Sequence, residues 1–308
     1  MNLSKPKFWQ KKIHIFSILL LPITIIYFFL INLKKFVDSP KKFDIPVICI
    51  GNIYLGGTGK TPVSILIANH FKSKRKPAIV RKYYKDYNDE HEMIKSKAPA
   101  LVLNSNRSKA IELAIKNSYD TVILDDGFQD NSIKKNLNIL CFNSNQLIGN
   151  GLLLPSGPLR ETMSSVKKAD IIIINGKKND TFEKKIKKIS DRVNVFYSKY
   201  IPLNLSQFKN KKVLAFAGIG NSENFFQILK DNSIDVKYEI NFSDHYEFKK
   251  LELEKIIKKA SEEDCELVTT EKDYFRIKKY GFKEIKFLEL ELQILKDENL
   301  FKEIEKCF

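Results

Sequence analysis

Cysteine is scarce in this 308-residue chain, and no two of Cys49, Cys141, Cys265 and Cys307 form a C-x-x-C pair. That spacing argues against a zinc knuckle and a disulfide framework, and it fits a reducing cytosolic setting. No internal repeat and no low-complexity linker interrupts the chain. An Arg-rich arm is missing too. Lys and Arg outnumber Asp and Glu by 53 to 37, for a formal charge of +16, but most of the excess is Lys spread along the chain. A field of that sign attracts nucleic acid, anionic lipid head groups or phosphorylated substrates. No RNA- or DNA-binding motif is present, so no nucleic-acid partner is expected. An apolar content of 43% allows a sizeable core, and the length suits two modest domains.

Charge vanishes altogether from residues 13–33, IHIFSILLLPITIIYFFLINL, which hold no Asp, Glu, Lys or Arg. Twenty-one such residues could cross a bilayer. The run is too long, and lacks the small-residue cleavage site, for a cleaved signal peptide. A spanning helix and an interfacial anchor both remain open. Lys5, Lys7, Lys11 and Lys12 precede the run, and Lys34, Lys35, Lys41 and Lys42 follow it, so loop charge gives no orientation. Both clusters suit an anionic cytoplasmic membrane surface, at about 1 kcal/mol for each Lys near the head groups. Pro22 should kink any helix formed here. The expectation is an N-terminal membrane-associated helix over residues 1–36.

Short apolar runs alternating with helical segments follow. Strands are expected over residues 46–50, 77–80, 100–103, 121–124, 137–142 and 169–174, and helices over 61–74 and 107–117. Runs of β-branched residues without alternation indicate strands covered on both faces. The fold class is therefore α/β: a P-loop NTPase-like, mostly parallel sheet with helices on both faces, over residues 37–205. The basic segment 177–188 reads as a solvated helix face. A smaller C-terminal α/β domain over residues 206–308 follows, with strands at 213–217 and 266–270 and helices at 222–230 and 249–263.

Two motifs carry chemistry. Gly56-Gly57-Thr58-Gly59-Lys60-Thr61 follows an apolar strand and opens an apolar-periodic helix. It fits G-x-x-x-x-G-K-[ST] except that Tyr54 occupies the first glycine position. Backbone N–H groups of residues 54–61 (Tyr54, Leu55 and the glycines) would cradle the phosphates of ATP. Lys60 would reach the β- and γ-phosphates, and the Thr61 hydroxyl would ligate Mg2+. Pro62 falls early in the helix, where its missing N–H costs nothing. The second motif, Asp125-Asp126-Gly127-Phe128-Gln129, ends another buried strand, on the ligand side of an open α/β sheet. One of Asp125 and Asp126 is expected at the metal while the other holds the turn.

Taken with Gly51-Asn52, these motifs continue as Gly149-Asn150-Gly151-Leu152-Leu153-Leu154-Pro155-Ser156-Gly157-Pro158-Leu159-Arg160-Glu161, Phe216-Ala217-Gly218-Ile219-Gly220-Asn221, Asp244-His245 and Thr270-Glu271-Lys272-Asp273. In that order they resemble the tetraacyldisaccharide 4′-kinases of lipid A synthesis. The resemblance implies ATP-dependent phosphorylation of the 4′-hydroxyl of a tetraacylated glucosamine disaccharide 1-phosphate, giving lipid IVA, on the cytoplasmic face of a bacterial inner membrane, by a monomer. It implies Asp89 as base, coupled to His245, with Lys60 neutralising the transferred phosphoryl. It also puts Gln129 and Glu161 near the Mg2+, and Arg160 on a phosphate. Lys82 and Tyr84 align with the Arg and Tyr of the family's Ser-Arg-Gly-Tyr-Gly, as substrate contacts. Here that segment reads Arg81-Lys82-Tyr83-Tyr84-Lys85, without either glycine, and Asp130 replaces the family's His after Gln129. The rival reading is a membrane-peripheral regulatory NTPase, which would hydrolyse nucleotide without an acceptor.

Overall fold

The computed structural model describes residues 6–37, 39–244 and 246–308. Among its strands are β1 (Val47–Gly51), β2 (Pro77–Lys82), β3 (Leu101–Asn104), β4 (Thr121–Asp125), β5 (Leu137–Asn143), β6 (Ile171–Asn175) and β7 (Asn194–Pro202). Next come β8 (Lys212–Ala217), β9 (Asp235–Asn241), β10 (Cys265–Thr270), β11 (Ile285–Leu288) and β12 (Leu290–Leu295). Its α-helices are α1 (Ile15–Leu19), α2 (Leu21–Val37), α3 (Lys60–Phe71), α4 (Asn88–Lys97) and α5 (Arg107–Lys116), then α6 (Asp180–Ile189), α7 (Ser222–Asp231), α8 (Lys250–Glu262), α9 (Glu271–Ile277) and α10 (Asp297–Glu305).

Among the described residues, 6–84 with Lys97–Lys199 and Leu292–Phe308 form one compact unit; Lys85–Ser96 and Tyr200–Glu291 form the other. The sequence reading divides the chain at 36/37 and 205/206, whereas each of these two units is assembled from segments separated along the chain.

In the first unit the strand order is β12-β7-β6-β5-β1-β4-β2-β3. Every pairing from β7 to β3 is parallel. The apolar runs of β1, β4 and β6 are buried along their whole length, as strands sandwiched between helices must be. The chain winds from β1 outward to β3, returns to β4, then continues on the other side through β5. Thus β1 and β4 lie side by side, with Ile50 opposite Asp125. The two chemical motifs therefore leave neighbouring strands at the same, carboxyl end of the sheet, where open α/β sheets bind ligands.

The second unit has a parallel sheet, β11-β10-β8-β9. Alternation along β8 splits its core. Val213, Ala215 and Ala217 pack with Phe225, Phe226 and Leu229 of α7, while Leu214 and Phe216 pack with Leu253 and Ile256 of α8.

The apolar run does not form one long helix. It breaks at Leu20, just before Pro22, into α1 and α2. Among the described residues no helix is long and apolar enough to cross a membrane. This corrects the spanning alternative: 21 uncharged residues reach across a bilayer only as one continuous helix. The polarity of the pair is also inverted. Phe16, Leu19, Ile26, Phe29, Leu30 and Leu33 are exposed, whereas Ser17 and Thr24 are buried. Thr24, Tyr27 and Ile31, at i, i+3 and i+7, form the inward stripe of α2. The Thr24 hydroxyl donates to Ser156 Oγ (2.7 Å) and accepts from the Ser156 N–H (3.1 Å). Tyr27 OH donates to the Arg160 carbonyl (3.0 Å), Asn150 to Ser17 Oγ (3.2 Å), and the Trp9 indole to the Pro155 carbonyl (3.0 Å).

Replacing Thr24 by the isosteric Val would strand the buried Ser156 N–H. Thr24→Val should lower the unfolding free energy by about 1–3 kcal/mol in urea titrations. Unchanged stability would show that these bonds do not hold α2 to the domain.

Candidate functional site

The phosphate loop needs glycine at three positions, since Gly56, Gly57 and Gly59 have φ of +76°, +61° and +86°. Thr58 between them is buried and accepts a hydrogen bond from the Asn52 amide (2.8 Å). Asn52 follows β1 directly and is itself fully buried. Its carbonyl accepts from Gln129 Nε2 (2.7 Å) and Arg160 Nη2 (3.2 Å), and its side-chain oxygen also accepts from Arg160. One asparagine thus ties together the glycine loop, the acidic turn and the segment ending in Arg160. Lys60 begins α3, and the N–H groups of that first turn have no partner within the helix, which suits an anion.

The two aspartates serve different faces of this loop. Asp125 is completely buried, accepts from Thr61 Oγ1 and Ser64 Oγ (both 3.1 Å), and lies 3.3 Å from Arg81 Nη1. A Thr61 hydroxyl that donates to Asp125 keeps its lone pairs for a cation. Asp126 takes a left-handed backbone (φ +57°), anchored by its N–H on the Ile50 carbonyl (2.9 Å). That geometry sends its carboxylate to Lys60 Nζ (3.7 Å) and Arg160 Nη2 (2.9 Å). Burial alone would raise the Asp126 pKa; Lys60 and Arg160 outweigh it and hold the carboxyl well below the usual range.

Gln129 is committed to Asn52, and the buried Glu161 accepts from Ser165 Oγ (2.7 Å) and pairs with Lys168 (3.4 Å). Among the described residues no group of three or more His, Cys, Asp or Glu side chains gathers as a metal cage. The Thr61–Asp125 pair beside a phosphate cradle nevertheless fits Mg2+, which usually takes one or two protein ligands and completes its shell with phosphate oxygens and water.

Tyr54, in the first loop position, is buried; its hydroxyl accepts from Gln10 (2.8 Å), and it bridges to Leu159. The Leu55 N–H donates to the Pro158 carbonyl (2.9 Å). The Lys82 ammonium lies over the half-exposed Tyr84 ring, 5.3 Å from its centroid. Asp130 accepts from Ser132 Oγ (2.6 Å) and pairs with Arg107 (3.3 Å), whose other arm donates to the Asp126 carbonyl (2.7 Å). Sequence reasoning gave no role to Asn52, Arg81 or Arg107. Asn52 and Arg81 could have been found from their place at the carboxyl ends of central strands; Arg107 had no such signal.

Asp89 lies in the second unit, in the first turn of α4, and is only 6% exposed. Arg276 Nη2 meets its Oδ2 at 2.5 Å, and Lys272 pairs with neighbouring Glu90 (2.7 Å). The other Arg276 arm contacts Asp273 (2.9 Å) and the carbonyls of Gly218 (3.2 Å) and Tyr246 (3.1 Å). Burial raises the Asp273 carboxyl, against the Arg276 charge and hydrogen bonds from the Gly218 N–H and Thr270 Oγ1. Two of the segments quoted from the sequence, at 216–221 and 270–273, thus converge near Asp89, together with Tyr246. His245 lies outside the described residues.

A glycine-rich loop, a Lys that opens the following helix and an acidic turn on adjacent parallel strands define a P-loop phosphotransferase. The family profile described as Tetraacyldisaccharide-1-P 4′-kinase matches residues 16–308, and the chain belongs to that family. It is 38% identical over 314 residues to the tetraacyldisaccharide 4′-kinase of Pelagibacter ubique (strain HTCC1062), covering 99% of this chain and 98% of that one. Identity to the enzyme of the same name from Rickettsia canadensis (strain McKiel) is 33%, with 97% of each chain covered. Among solved structures, the "apo" form of LpxK from Aquifex aeolicus in complex with ATP superposes with a TM-score of 0.74. Its identity is 25%, with 95% of this chain and 99% of that chain covered.

Removing the Asn52 brace should loosen the glycine loop. Asn52→Ala is expected to weaken ATP binding by about tenfold in calorimetry, the scale of one buried hydrogen bond. An unaltered Kd would remove Asn52 from the site.

Proposed function

We propose that the chain transfers the γ-phosphoryl group of ATP to the 4′-hydroxyl of a tetraacylated disaccharide 1-phosphate, giving lipid IVA at the cytoplasmic face of the inner membrane. The observation that carries the reading is the convergence of Lys60, Arg160 and Asp126 at the mouth of the glycine loop, with Thr61 and Asp125 beneath. Two cations fixed on one carboxylate form a preorganised positive field where charge spreads over the transferred phosphoryl. Backbone N–H groups of residues 56–61 cradle the phosphates, while the Leu55 N–H is held by the Pro158 carbonyl, and Arg160 reaches a phosphate oxygen. Thr61, backed by Asp125, would hold Mg2+, which when bound neutralises charge on the β- and γ-oxygens. Asp89, supported by His245, accepts the proton of the sugar hydroxyl as its oxygen bonds to phosphorus. Lys82 and Tyr84 serve the lipid substrate.

The inverted helices α1 and α2 support a lipid setting. A row of exposed Phe, Leu and Ile opposite a polar inward stripe is unfavourable in water and suits an interfacial anchor. The neighbouring lysines would draw this face to anionic lipids, as expected for an enzyme whose four-chain substrate hardly dissolves.

With radiolabelled ATP and the disaccharide 1-phosphate in detergent micelles, a phosphorylated lipid should form. ATP turnover that is indifferent to the acceptor would instead favour the regulatory NTPase. Asp89→Ala should lower kcat by about 10²- to 10⁴-fold, and Lys60→Ala by about 10²- to 10³-fold. A wild-type rate in either variant would cancel that residue's assignment. Separately, replacing Phe16, Leu19, Ile26 and Phe29 by Ser should abolish flotation with anionic phospholipid vesicles while ATP binding persists. Undiminished flotation would disprove the anchor.

A further inference from the structure

Asp89 is unusual among the site residues in being held by one cation that also gathers two other segments of its unit. Arg276 projects from α9, between Thr270-Glu271-Lys272-Asp273 and the end of that helix. One arm ends on Asp89 Oδ2 at 2.5 Å. The other reaches Asp273 Oδ1 at 2.9 Å, the Gly218 carbonyl at 3.2 Å and the Tyr246 carbonyl at 3.1 Å. The guanidinium side chain is 12% exposed, so these interactions are shielded from water and its geometry is fixed by four partners. A buried carboxylate needs such a partner, and a planar fork with five donors fixes direction as well as charge, which an ammonium cannot. The Lys272–Glu90 pair beside it is self-neutralising and leaves Arg276 as the cation assigned to Asp89.

We propose that Arg276 is a positioning residue for phosphoryl transfer. It engages Oδ2 of Asp89 and so leaves Oδ1 to take the acceptor's proton, and it registers Asp89 against the turn that carries Tyr246. The proposal rests on Asp89 being the base. In the step it serves, the 4′-oxygen forms the new P–O bond, its proton passes to Asp89 Oδ1, and ADP leaves with the electron pair of the broken bond. Arg276 touches no reacting atom. Its effect is on the orientation of the base.

Because Arg276 also supports Asp273 and two carbonyls, a slower variant alone would not separate orientation from structure. The test is a double-mutant cycle on the full-length chain in detergent micelles, with ATP and the disaccharide 1-phosphate. Asp89→Asn, Arg276→Gln and the double variant are compared in kcat and in both KM values. The expected result is a loss of kcat of about tenfold or more for Arg276→Gln, with both KM values within about twofold, and less than about twofold further loss in the Asp89→Asn background. Arg276→Lys keeps the charge and should recover part of kcat. It also replaces Arg276→Gln in the cycle if that variant fails to fold. An equal loss in both backgrounds, or a change confined to KM, overturns the proposal and makes Arg276 structural. A wild-type rate for Asp89→Asn defeats the base assignment itself, a result distinct from failure of the positioning role.

Discussion

The site depends on the parallel register of β1 and β4, which sets Ile50 opposite Asp125. One residue further, the Asp126 N–H closes on the Ile50 carbonyl and its backbone turns left-handed. Aspartate tolerates that conformation better than most residues. Two adjacent carboxylates are thereby sent to different tasks, Asp125 beneath Thr61 and Asp126 between Lys60 and Arg160. A slip of the register would separate the acidic turn from the glycine loop and leave a buried carboxylate without its cations.

Helices α1 and α2 and the phosphate loop share one support. The Gly149–Glu161 segment receives the polar stripe of α1 and α2 through Asn150, Ser156 and the Arg160 carbonyl. At its far end the Arg160 guanidinium grips Asn52 and Asp126. Polar residues face inward along α2 because hydrogen-bonding groups there have protein partners, while the outer face has none to offer. Such an inversion is stable where the surroundings on the outer side are apolar.

The departures from the family pattern find local partners. Asp130, where the family has His, pairs with Arg107, and Arg107 in turn supports the Asp126 carbonyl. Arg81 stands where that pattern has Ser, and it faces Asp125. The loss of both loop glycines accompanies the Lys82–Tyr84 stacking. The first two substitutions thus put charge pairs beside the Asp125-Asp126 turn.

Much of the fold is written in local patterns. Buried β-branched runs gave the central parallel strands, and the Gly56–Thr61 loop announced itself by spacing alone. Other elements had weaker signals. Strand β9 alternates Val236, Tyr238 and Ile240 with polar residues, a period that could have been read. Helix α4 buries Ile94 with Asp89 and His91, a face too polar for any periodicity to mark. The apolar run showed its composition and its Pro22, but not that Ser17, Thr24 and Tyr27, with Ile31, would turn inward while most of its aliphatics stay exposed. The sequence by itself determined the central buried strands, the phosphate loop and the family, because these depend on neighbouring residues and on the order of motifs along one chain. Only the tertiary structure decided which aspartate meets Lys60, that Asn52 braces the loop and that Arg276 holds Asp89. The pairs Lys60–Asp126, Asn52–Gln129, Asn52–Arg160 and Arg276–Asp89 join residues 66, 77, 108 and 187 positions apart, and long-range contacts of that kind leave no periodic trace.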